Sequence, residues 1–299
     1  MSDAILIVGG GPAGLAAALQ LKRQGREARV FEACELGGLL RNAHRVENYL
    51  GFPRGIGGPD LVRRFRRQAE TWGLQVEHTR VLSLAYDEGT RTFAATPENG
   101  PVRHGAVAVV ASGTRPLRLP LVESLPRRLR DRVSYEVSSL MEMRNRDIVV
   151  VGSGDAAHDY ALNLAQRNRV ALWMRGGASG ALPLLQRRVA RHPRIEVQRH
   201  TVLTGVTGGE DRPLSLAFIR GETPGVQACD HLVCAVGREP ETSFYDAFLA
   251  GAEADLVAAG RLHTVGDVRN GSLRQAAIAT GDGIAAAMAI DRFLDGGGR

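Results

Sequence analysis

Two glycine-rich motifs of the same kind, far apart in one chain, limit the possible folds more than any other feature. The first, GGGPAG at residues 9–14, directly follows the apolar run AILIV, and the second, GSGDAA at residues 152–157, directly follows IVVV. An apolar strand, a glycine turn and a helix form a dinucleotide-binding unit, because the glycines let the backbone approach a pyrophosphate at the helix N-terminus. The sequence therefore predicts two nucleotide sites, with electron transfer between the two nucleotides.

The residue after the second strand of each unit indicates which nucleotide binds there. Glu32 follows ARVF at the position where a carboxylate binds the ribose hydroxyls of an adenine dinucleotide. A surface glutamate at a strand end is the alternative. The equivalent residue of the second unit is Arg175, which can pair with a 2′-phosphate that a carboxylate would repel. This favours NADP(H) over NAD(H), although the flanking Met174 and Gly176 add no charge.

The last part of the chain carries a pattern that suits a flavin. Gly266 and Asp267 end a predicted strand and can place a carboxylate on a ribitol hydroxyl, and Arg274, Gln275 and Ala276 open an alanine-rich helix. The N-terminus of that helix can stabilise the negative charge that a flavin gains on reduction. A simple turn followed by a packing helix is the alternative, but the first glycine motif favours FAD.

Two similar segments mark where the chain passes between domains. VVASGTRP at residues 109–116 and VCAVGREP at residues 233–240 each run from an apolar strand into Gly, Arg and Pro. We predict an α/β fold with two Rossmann-like dinucleotide-binding domains, the second inserted in the first. Residues 1–114 and 240–299 would form a discontinuous FAD-binding domain, and residues 115–239 would form the NAD(P)-binding domain.

Charge and cysteine usage exclude several classes of function. The formal net charge of +6 is carried by arginine, with clusters at residues 63–67, 127–130 and 187–188. These clusters are either solvated helix faces or a docking surface for an acidic protein. We expect no nucleic acid, because no aromatic residues alternate with the basic ones. We also expect no metal site, since Cys34, Cys229 and Cys234 form no C-x-x-C or zinc pattern, and the last two are predicted to be inert core thiols.

Hydropathy and the first residues predict a cytoplasmic protein that does not enter a membrane. No apolar run approaches the roughly 20 residues that a membrane-spanning helix needs. Residues 1–3 lead directly into the first predicted strand and leave no room for a signal peptide.

Seven ordered motifs carry a resemblance to a known family. They are residues 9–14, GGLL at 37–40, VENYLGFP at 46–53, ASG at 111–113, residues 152–157, GDV at 266–268 and RQA at 274–276. With these, the chain resembles the low-molecular-weight thioredoxin reductase-like flavoproteins over essentially its whole length. The resemblance implies FAD in the outer domain, a nicotinamide nucleotide in the inserted domain, and a homodimer. Tyr49 would lie close to the flavin ring or serve as a packing residue.

The predicted cofactor-binding residues combine the motifs and the resemblance. For FAD they are Gly9, Gly11, Pro12, Ala13, Gly14, Glu32, Gly38, Leu39, Asn48, Ala111, Gly113, Gly266, Asp267, Arg274, Gln275 and Ala276. For the nicotinamide nucleotide they are Gly152, Gly154, Asp155, Ala156 and Arg175.

One segment departs from thioredoxin reductases. Those enzymes carry C-x-x-C and an acid just before the second glycine motif, whereas this chain has Glu136 and Ser139 in place of the cysteines and Leu140 in place of the acid. None of these residues can form a disulfide, so thioredoxin reductase chemistry through this segment is not expected. Tyr135, Val137 and the helix at 155–164 resemble the ferredoxin/flavodoxin–NADP reductases of the same fold, although their His-Arg-Arg phosphate clamp is MRG here.

We therefore predict a FAD-dependent oxidoreductase that transfers electrons between NADP(H) or NAD(H) and an external acceptor such as ferredoxin or flavodoxin. Glu136 is the candidate catalytic residue because it stands where the family's redox centre faces the flavin; a solvent-facing glutamate is the alternative. One alternative function is a flavoprotein with a degenerate nicotinamide site, reduced only by a protein partner or using FAD as a structural or sensing ligand. Another is a disulfide reductase that uses Cys34, Cys229 or Cys234, which the positions of these cysteines disfavour.

Overall fold

The computed structural model describes residues 4–208 and 214–296. Residues 1–3, on which the expectation of no signal peptide rests, lie outside the described part of the chain. The chain divides into two compact units. The first comprises Met1–Arg41, Val46–Arg115 and Glu239–Arg299, and the second comprises Asn42–Arg45 and Pro116–Arg238.

The strands and helices are numbered here in chain order. The strands are β1 Ile5–Val8, β2 Ala28–Phe31, β3 Gln75–Glu77, β4 Val81–Asp87, β5 Thr92–Pro97, β6 Arg103–Gly105, β7 Val107–Val110, β8 Thr114–Pro116, β9 Val133–Ser134, β10 Asp147–Val151, β11 Arg169–Trp173, β12 Ile195–Gln198, β13 Thr201–Thr207, β14 Leu214–Arg220, β15 Thr223–Cys229, β16 His231–Cys234, β17 Arg238–Pro240 and β18 Leu262–Thr264. The helices are α1 Pro12–Arg23, α2 Gly58–Thr71, α3 Pro120–Glu123, α4 Arg127–Arg130, α5 Asp155–Leu164, α6 Pro183–Arg191, α7 Ala247–Ala258 and α8 Ala276–Leu294. Short 3₁₀ turns cover Gly38–Asn42, Ser138–Leu140 and Gly266–Val268.

The first unit is built on a parallel sheet with strand order β18-β7-β1-β2-β3. Every residue of β1 and β7 is buried, because both faces of the sheet are covered. One face, with Ile5 and Val109, packs on α1 and α8, and the other, with Leu6 and Ala108, packs on β4, β5 and α7. The glycine turn after β1 is therefore carried by a sheet with an apolar cluster on each face.

The second unit repeats this design. Its parallel sheet has the order β12-β11-β10-β16-β9. Ile148 and Val150 face α5 and α6, whereas Val149 and Trp173 face the antiparallel sheet β13-β14-β15. The predicted α/β fold with two Rossmann-like domains is confirmed by these two parallel sheets.

The chain passes from the first unit to the second within β8 and returns within β17. Strands β8 and β17 pair with each other, and the side chains of Arg115 and Glu239 form an ion pair of 2.9 Å. Among the described residues, no helix is long and apolar enough to cross a membrane.

Candidate dinucleotide sites

The first glycine motif forms a tight turn between β1 and α1. Gly9 has a φ of +110°, and a Cβ there would clash with the carbonyl oxygen of Ala111 at the end of β7. A Cβ on Gly14 would clash with the carbonyl oxygen of Gly9, while Ala13 is buried. Gly11, by contrast, is the extended N-cap of α1, and its Cβ would meet only the Cα of Gly38, at 3.9 Å. The turn is therefore compact on the protein side and open at Gly11, where a pyrophosphate can approach.

Glu32 is held next to this turn by two backbone groups. Its Oε2 accepts a hydrogen bond from the N–H of Gly10 at 2.8 Å, and its Oε1 accepts one from the N–H of Cys34 at 2.8 Å. Each carboxylate oxygen retains lone pairs for further donors. The carboxylate is thus oriented at the end of β2 with free capacity to accept ribose hydroxyls.

The 3₁₀ turn that begins at Gly38 lies against the glycine motif. Gly37 donates from its N–H to the carbonyl oxygen of Gly10 at 2.8 Å. Gly38 has a φ of +56°, and a Cβ on it would lie 3.2 Å from the Cα of Gly11. This contact brings Gly38 and Leu39 beside the opening at Gly11.

Asn48 and Gln275 meet across the first unit. Nδ2 of Asn48 donates to Oε1 of Gln275 at 2.7 Å. Gln275 is the extended N-cap of α8 and does not cap the helix with its side chain, so Ala276 begins the helix with backbone donors still open. Arg274 precedes this cap and is partly buried. The N-terminus of α8 and the two amide side chains thus come together in the first unit.

Asp267 lies on a turn that a neighbouring carboxylate holds in place. Gly266 has a φ of +75°, and its N–H donates to Oδ2 of Asp282 at 3.1 Å. The same oxygen accepts from Nδ2 of Asn270 at 2.6 Å. Sequence reasoning missed Asp282, whose only signal is a carboxylate within the alanine-rich helix α8.

Ala111 and Gly113, two further predicted positions, follow β7, and Tyr49 packs among aromatic residues. Ala111 is buried behind Gly9, and Gly113 has a φ of +69°. Tyr49 packs against the rings of Phe52 and Phe65, with centroids 6.3 and 6.0 Å away. The packing role is therefore the one that the structure supports for Tyr49.

The second glycine motif has the same design as the first. Gly152 has a φ of +153°, and a Cβ on it would clash with the carbonyl oxygen of Ala235 at the end of β16. Gly154 is the extended N-cap of α5, and no atom lies within 4 Å of where its Cβ would be. Asp155 and Ala156 follow as exposed first-turn residues, and Oδ1 of Asp155 accepts from the N–H of Leu182 at 2.7 Å. Arg175 is exposed just beyond β11.

Glu136 lies in a polar cluster rather than projecting freely into solvent. Its Oε2 accepts from Nδ2 of Asn42 at 3.2 Å, and its Oε1 accepts from Nη2 of Arg238 at 3.4 Å. Oδ1 of the buried Asn42 accepts from the N–H groups of Val137 at 3.1 Å and Ser138 at 2.9 Å. The Glu136 side chain is nevertheless 28% exposed, so its catalytic role stays a prediction. Asn42, which orients it, is a residue that sequence reasoning missed.

Another carboxylate of the second unit is perturbed by its surroundings. Asp159 on α5 accepts from the N–H of His44 at 2.8 Å. Burial raises the pKa of Asp159 to about 6, against the lowering effect of hydrogen bonds from the backbone of His44 and Arg45. No sequence pattern singled out this residue.

Two of the three cysteines are buried. Cys229 and Cys234 are buried, and burial raises the pKa of each thiol to about 12, so neither forms a thiolate near neutral pH. Cys34 is exposed. Within residues 4–208 and 214–296, no group of three or more His, Cys, Asp or Glu side chains could hold a metal ion.

Comparisons with known proteins agree with this architecture. Residues 3–283 match the family described as pyridine nucleotide-disulphide oxidoreductase. The chain is 32% identical to a thioredoxin reductase of Streptomyces clavuligerus, over 98% of the chain and 95% of that protein. It is 31% identical to NADPH-dependent thioredoxin reductase 3 of Arabidopsis thaliana, over 97% of the chain but only 58% of that protein's length.

Solved structures share the fold. Lactococcus lactis thioredoxin reductase superposes with a TM-score of 0.85 at 24% identity, covering 98% of this chain and 99% of that one. The bacillithiol disulfide reductase of Bacillus cereus superposes with a TM-score of 0.76 at 18% identity, covering 98% of this chain and all of that one (100%).

Proposed function

This chain belongs to the pyridine nucleotide-disulphide oxidoreductase family, and from that premise we propose that it is a FAD-dependent NAD(P)H oxidoreductase that works without an internal redox disulfide. Electrons would pass between the nicotinamide nucleotide and an acceptor outside the chain, by way of the flavin. The observation that carries the proposal is the pair of equivalent glycine turns, one in each unit, combined with Glu136 and Ser139 at the positions of the family's dithiol.

The first unit has the residues to hold FAD. The opening at Gly11 would admit the pyrophosphate, and the carboxylate of Glu32 is oriented to accept the adenosine ribose hydroxyls. Asp267, on the turn held by Asp282, would bind the ribitol chain. The N-terminus of α8 and the amides of Asn48 and Gln275 would face the flavin. A Cβ at Gly11 would project into this opening, so the site fits a ligand that approaches the backbone closely.

The second unit has the corresponding features for a nicotinamide nucleotide. Gly154 leaves open space at the N-terminus of α5, and Arg175 stands at the position that reads the ribose 2′ substituent. When bound, FAD supplies the hydride chemistry with the nicotinamide, and the protein supplies position and electrostatics. The backbone donors at the start of α8 would stabilise the negative charge of the reduced flavin.

The segment around Glu136 would take part in proton rather than electron transfer. A carboxylate can hold or release a proton but cannot store two electrons, as a dithiol can. The partners Asn42 and Arg238 hydrogen-bond to the carboxylate and orient it. In this proposal Glu136 is the proton-handling group, and the electrons leave directly to the external acceptor.

The arginine-rich face of α2 supports an acidic acceptor such as ferredoxin or flavodoxin. Arg63, Arg64 and Arg67 line an open cavity of about 410 Å³ together with Ile56 and Asp60. A positive surface of this kind attracts an acidic partner and speeds its encounter. The resemblance to thioredoxin reductase-like flavoproteins also leads us to propose a homodimer.

An anaerobic titration tests the proposal. The purified yellow protein is titrated with NADPH and, separately, with NADH while the oxidised-flavin absorbance is followed. Stoichiometric bleaching by one of the nucleotides is the expected result. If neither nucleotide bleaches a flavin that dithionite does reduce, the second glycine turn is not a working hydride site, and the alternative of a partner-reduced flavoprotein replaces this proposal.

A further inference from the structure

The residues after β12 run beside Arg175. Strands β11 and β12 are parallel, with Trp173 opposite Gln198. Beyond them, the N–H of Thr201 donates to the carbonyl oxygen of Met174 at 2.9 Å, which keeps the two chains together past the strand ends. Arg199 therefore leaves the same carboxyl edge of the sheet as Arg175, and nucleotides bind at this edge in open parallel sheets.

The guanidinium of Arg199 is directed at the loop that follows Arg175. Its Nη1 donates to the carbonyl oxygen of Gly177. Its charge also reaches the first turn of α5, because the pKa of His158 is lowered by burial and, to a smaller extent, by Arg199. Arg199 thus contacts the loop after β11 and lies within electrostatic reach of the first turn of α5.

His200 packs on the same loop and has an uncommon backbone conformation. It has a φ of +53°, a region that costs a non-glycine residue about 1 kcal/mol or more. A Cβ on Gly177 would lie 2.8 Å from two atoms of the His200 ring, so the ring packs directly on this glycine. Gly177 can approach so closely only because it has no side chain.

The charges of Arg175 and Arg199 are not neutralised by the protein. Within residues 4–208 and 214–296, neither arginine has a carboxylate partner within 4.0 Å, and Arg175 has no hydrogen-bond partner. By contrast, Arg169 at the other end of β11 forms a two-point ion pair with Asp147 at 2.6 and 2.7 Å. Two exposed arginines that leave the same edge without counter-charges form a natural anion site.

We propose that Arg199 acts with Arg175 as a two-strand clamp for the 2′-phosphate of NADP(H), and that His200 positions the loop between them. This inference rests on the proposed function, because it concerns the nucleotide of the second unit. It also accounts for the MRG sequence at residues 174–176, in which a single arginine follows β11. The second positive charge is that of Arg199, which follows β12 and is distant from Arg175 in the sequence.

The test is a binding measurement on the purified holoprotein that does not depend on turnover. Affinities for NADP⁺, NAD⁺, 2′,5′-ADP and 5′-AMP are measured by calorimetry for the wild type, Arg199→Ala and Arg199→Gln. The glutamine variant retains a donor for Gly177 but lacks the charge. Arg194→Ala is the matched control, because Arg194 precedes the opposite end of β12 and donates to the carbonyl oxygen of Gln166 at 2.8 Å.

Both Arg199 variants are expected to bind NADP⁺ and 2′,5′-ADP about 10- to 100-fold more weakly, because each loses one charge-assisted contact. Their affinities for NAD⁺ and 5′-AMP should not change, and Arg194→Ala should match the wild type. Unchanged NADP⁺ affinity in Arg199→Ala, or equal losses for NADP⁺ and NAD⁺, would overturn the clamp but leave the proposed function standing. Failure of the wild type to bind either dinucleotide would overturn both.

Discussion

Nδ2 of Asn42 donates a hydrogen bond to Oε2 of Glu136 at 3.2 Å, and Oδ1 of the same amide accepts from the backbone of Val137 and Ser138. One buried side chain therefore fixes both the carboxylate and the segment that carries it. In the thioredoxin reductases that the chain resembles, this segment holds the dithiol. Here it holds an oriented acid, which is the basis of our proposal that electrons bypass any internal disulfide.

Replacing Glu136 by glutamine tests whether that acid takes part in turnover. The amide can still accept from Asn42, so FAD content and the flavin spectrum should stay the same. Turnover with the electron acceptor should fall by about 10²-fold or more if Glu136 transfers a proton. Steady-state kinetics across pH provide the measurement. Glu142→Gln is the control, because Glu142 is a highly exposed glutamate of the same unit, and equal turnover in both variants would remove Glu136 from the mechanism.

Two glycines of the second motif should respond differently to alanine. In Gly152→Ala the new Cβ clashes with the carbonyl oxygen of Ala235 at a positive φ, so the second unit should lose about 2 kcal/mol or more of stability. In Gly154→Ala the Cβ meets no protein atom, so the melting temperature should not change. NADP⁺ binding should still weaken, because that Cβ occupies the path of the pyrophosphate. Full NADP⁺ affinity in Gly154→Ala would show that the nucleotide does not bind at this turn.

Glu32→Gln should release FAD. Both carboxylate oxygens accept backbone N–H groups, from Gly10 and Cys34. The amide NH₂ of glutamine would face one of these donors, which costs about 1–3 kcal/mol, and the ribose loses a charged acceptor. The bound flavin per protein after gel filtration should therefore fall, whereas Glu35→Gln, at an exposed neighbour, should keep a full complement. Equal flavin content in the two variants would contradict the assignment of Glu32.

Asp159 predicts a specific dependence of stability on pH. The pKa of Asp159 is about 6 in the folded protein and 3.8 in the unfolded chain. Between these two pH values the folded protein retains the proton that the unfolded chain releases. The contribution of Asp159 to the free energy of unfolding is therefore complete below pH 3.8 and is lost as the pH rises through about 6. Its upper limit is about 3 kcal/mol. Asp159→Asn, which resembles the protonated acid, should raise the melting temperature at pH 8 much more than at pH 5. Asp131→Asn, an exposed control, should show no such difference; a pH-independent effect of Asp159→Asn would disprove this account.

Features set by short-range geometry could be predicted from the sequence. Gly9 and Gly152 have φ values of +110° and +153°, and a Cβ on Gly14 would clash with the carbonyl oxygen of Gly9, so the tight turn itself requires glycine at this spacing. The burial of Cys229 and Cys234 was likewise predicted correctly from the apolar strand beside them.

Features that depend on tertiary contacts could not be predicted. Asp282, Asn42 and Arg199 act on segments that only the folded chain brings near them, and none belongs to a motif. The end of α5 is a smaller case. The sequence predicted a helix to about residue 167, but α5 ends at Leu164, whose carbonyl also accepts from Nδ2 of Asn168 at 3.0 Å.

The number of electrons that the protein accepts is the first measurement to make, because it shows whether the flavin works without an internal redox disulfide. Purified holoprotein is titrated anaerobically with dithionite to complete flavin reduction, and the reducing equivalents consumed per FAD are counted. A flavin that works alone takes two electrons, whereas a flavin coupled to a redox disulfide takes four. We predict two electrons per FAD. A reproducible value of four would reveal a second two-electron centre in the protein and would contradict the proposed function.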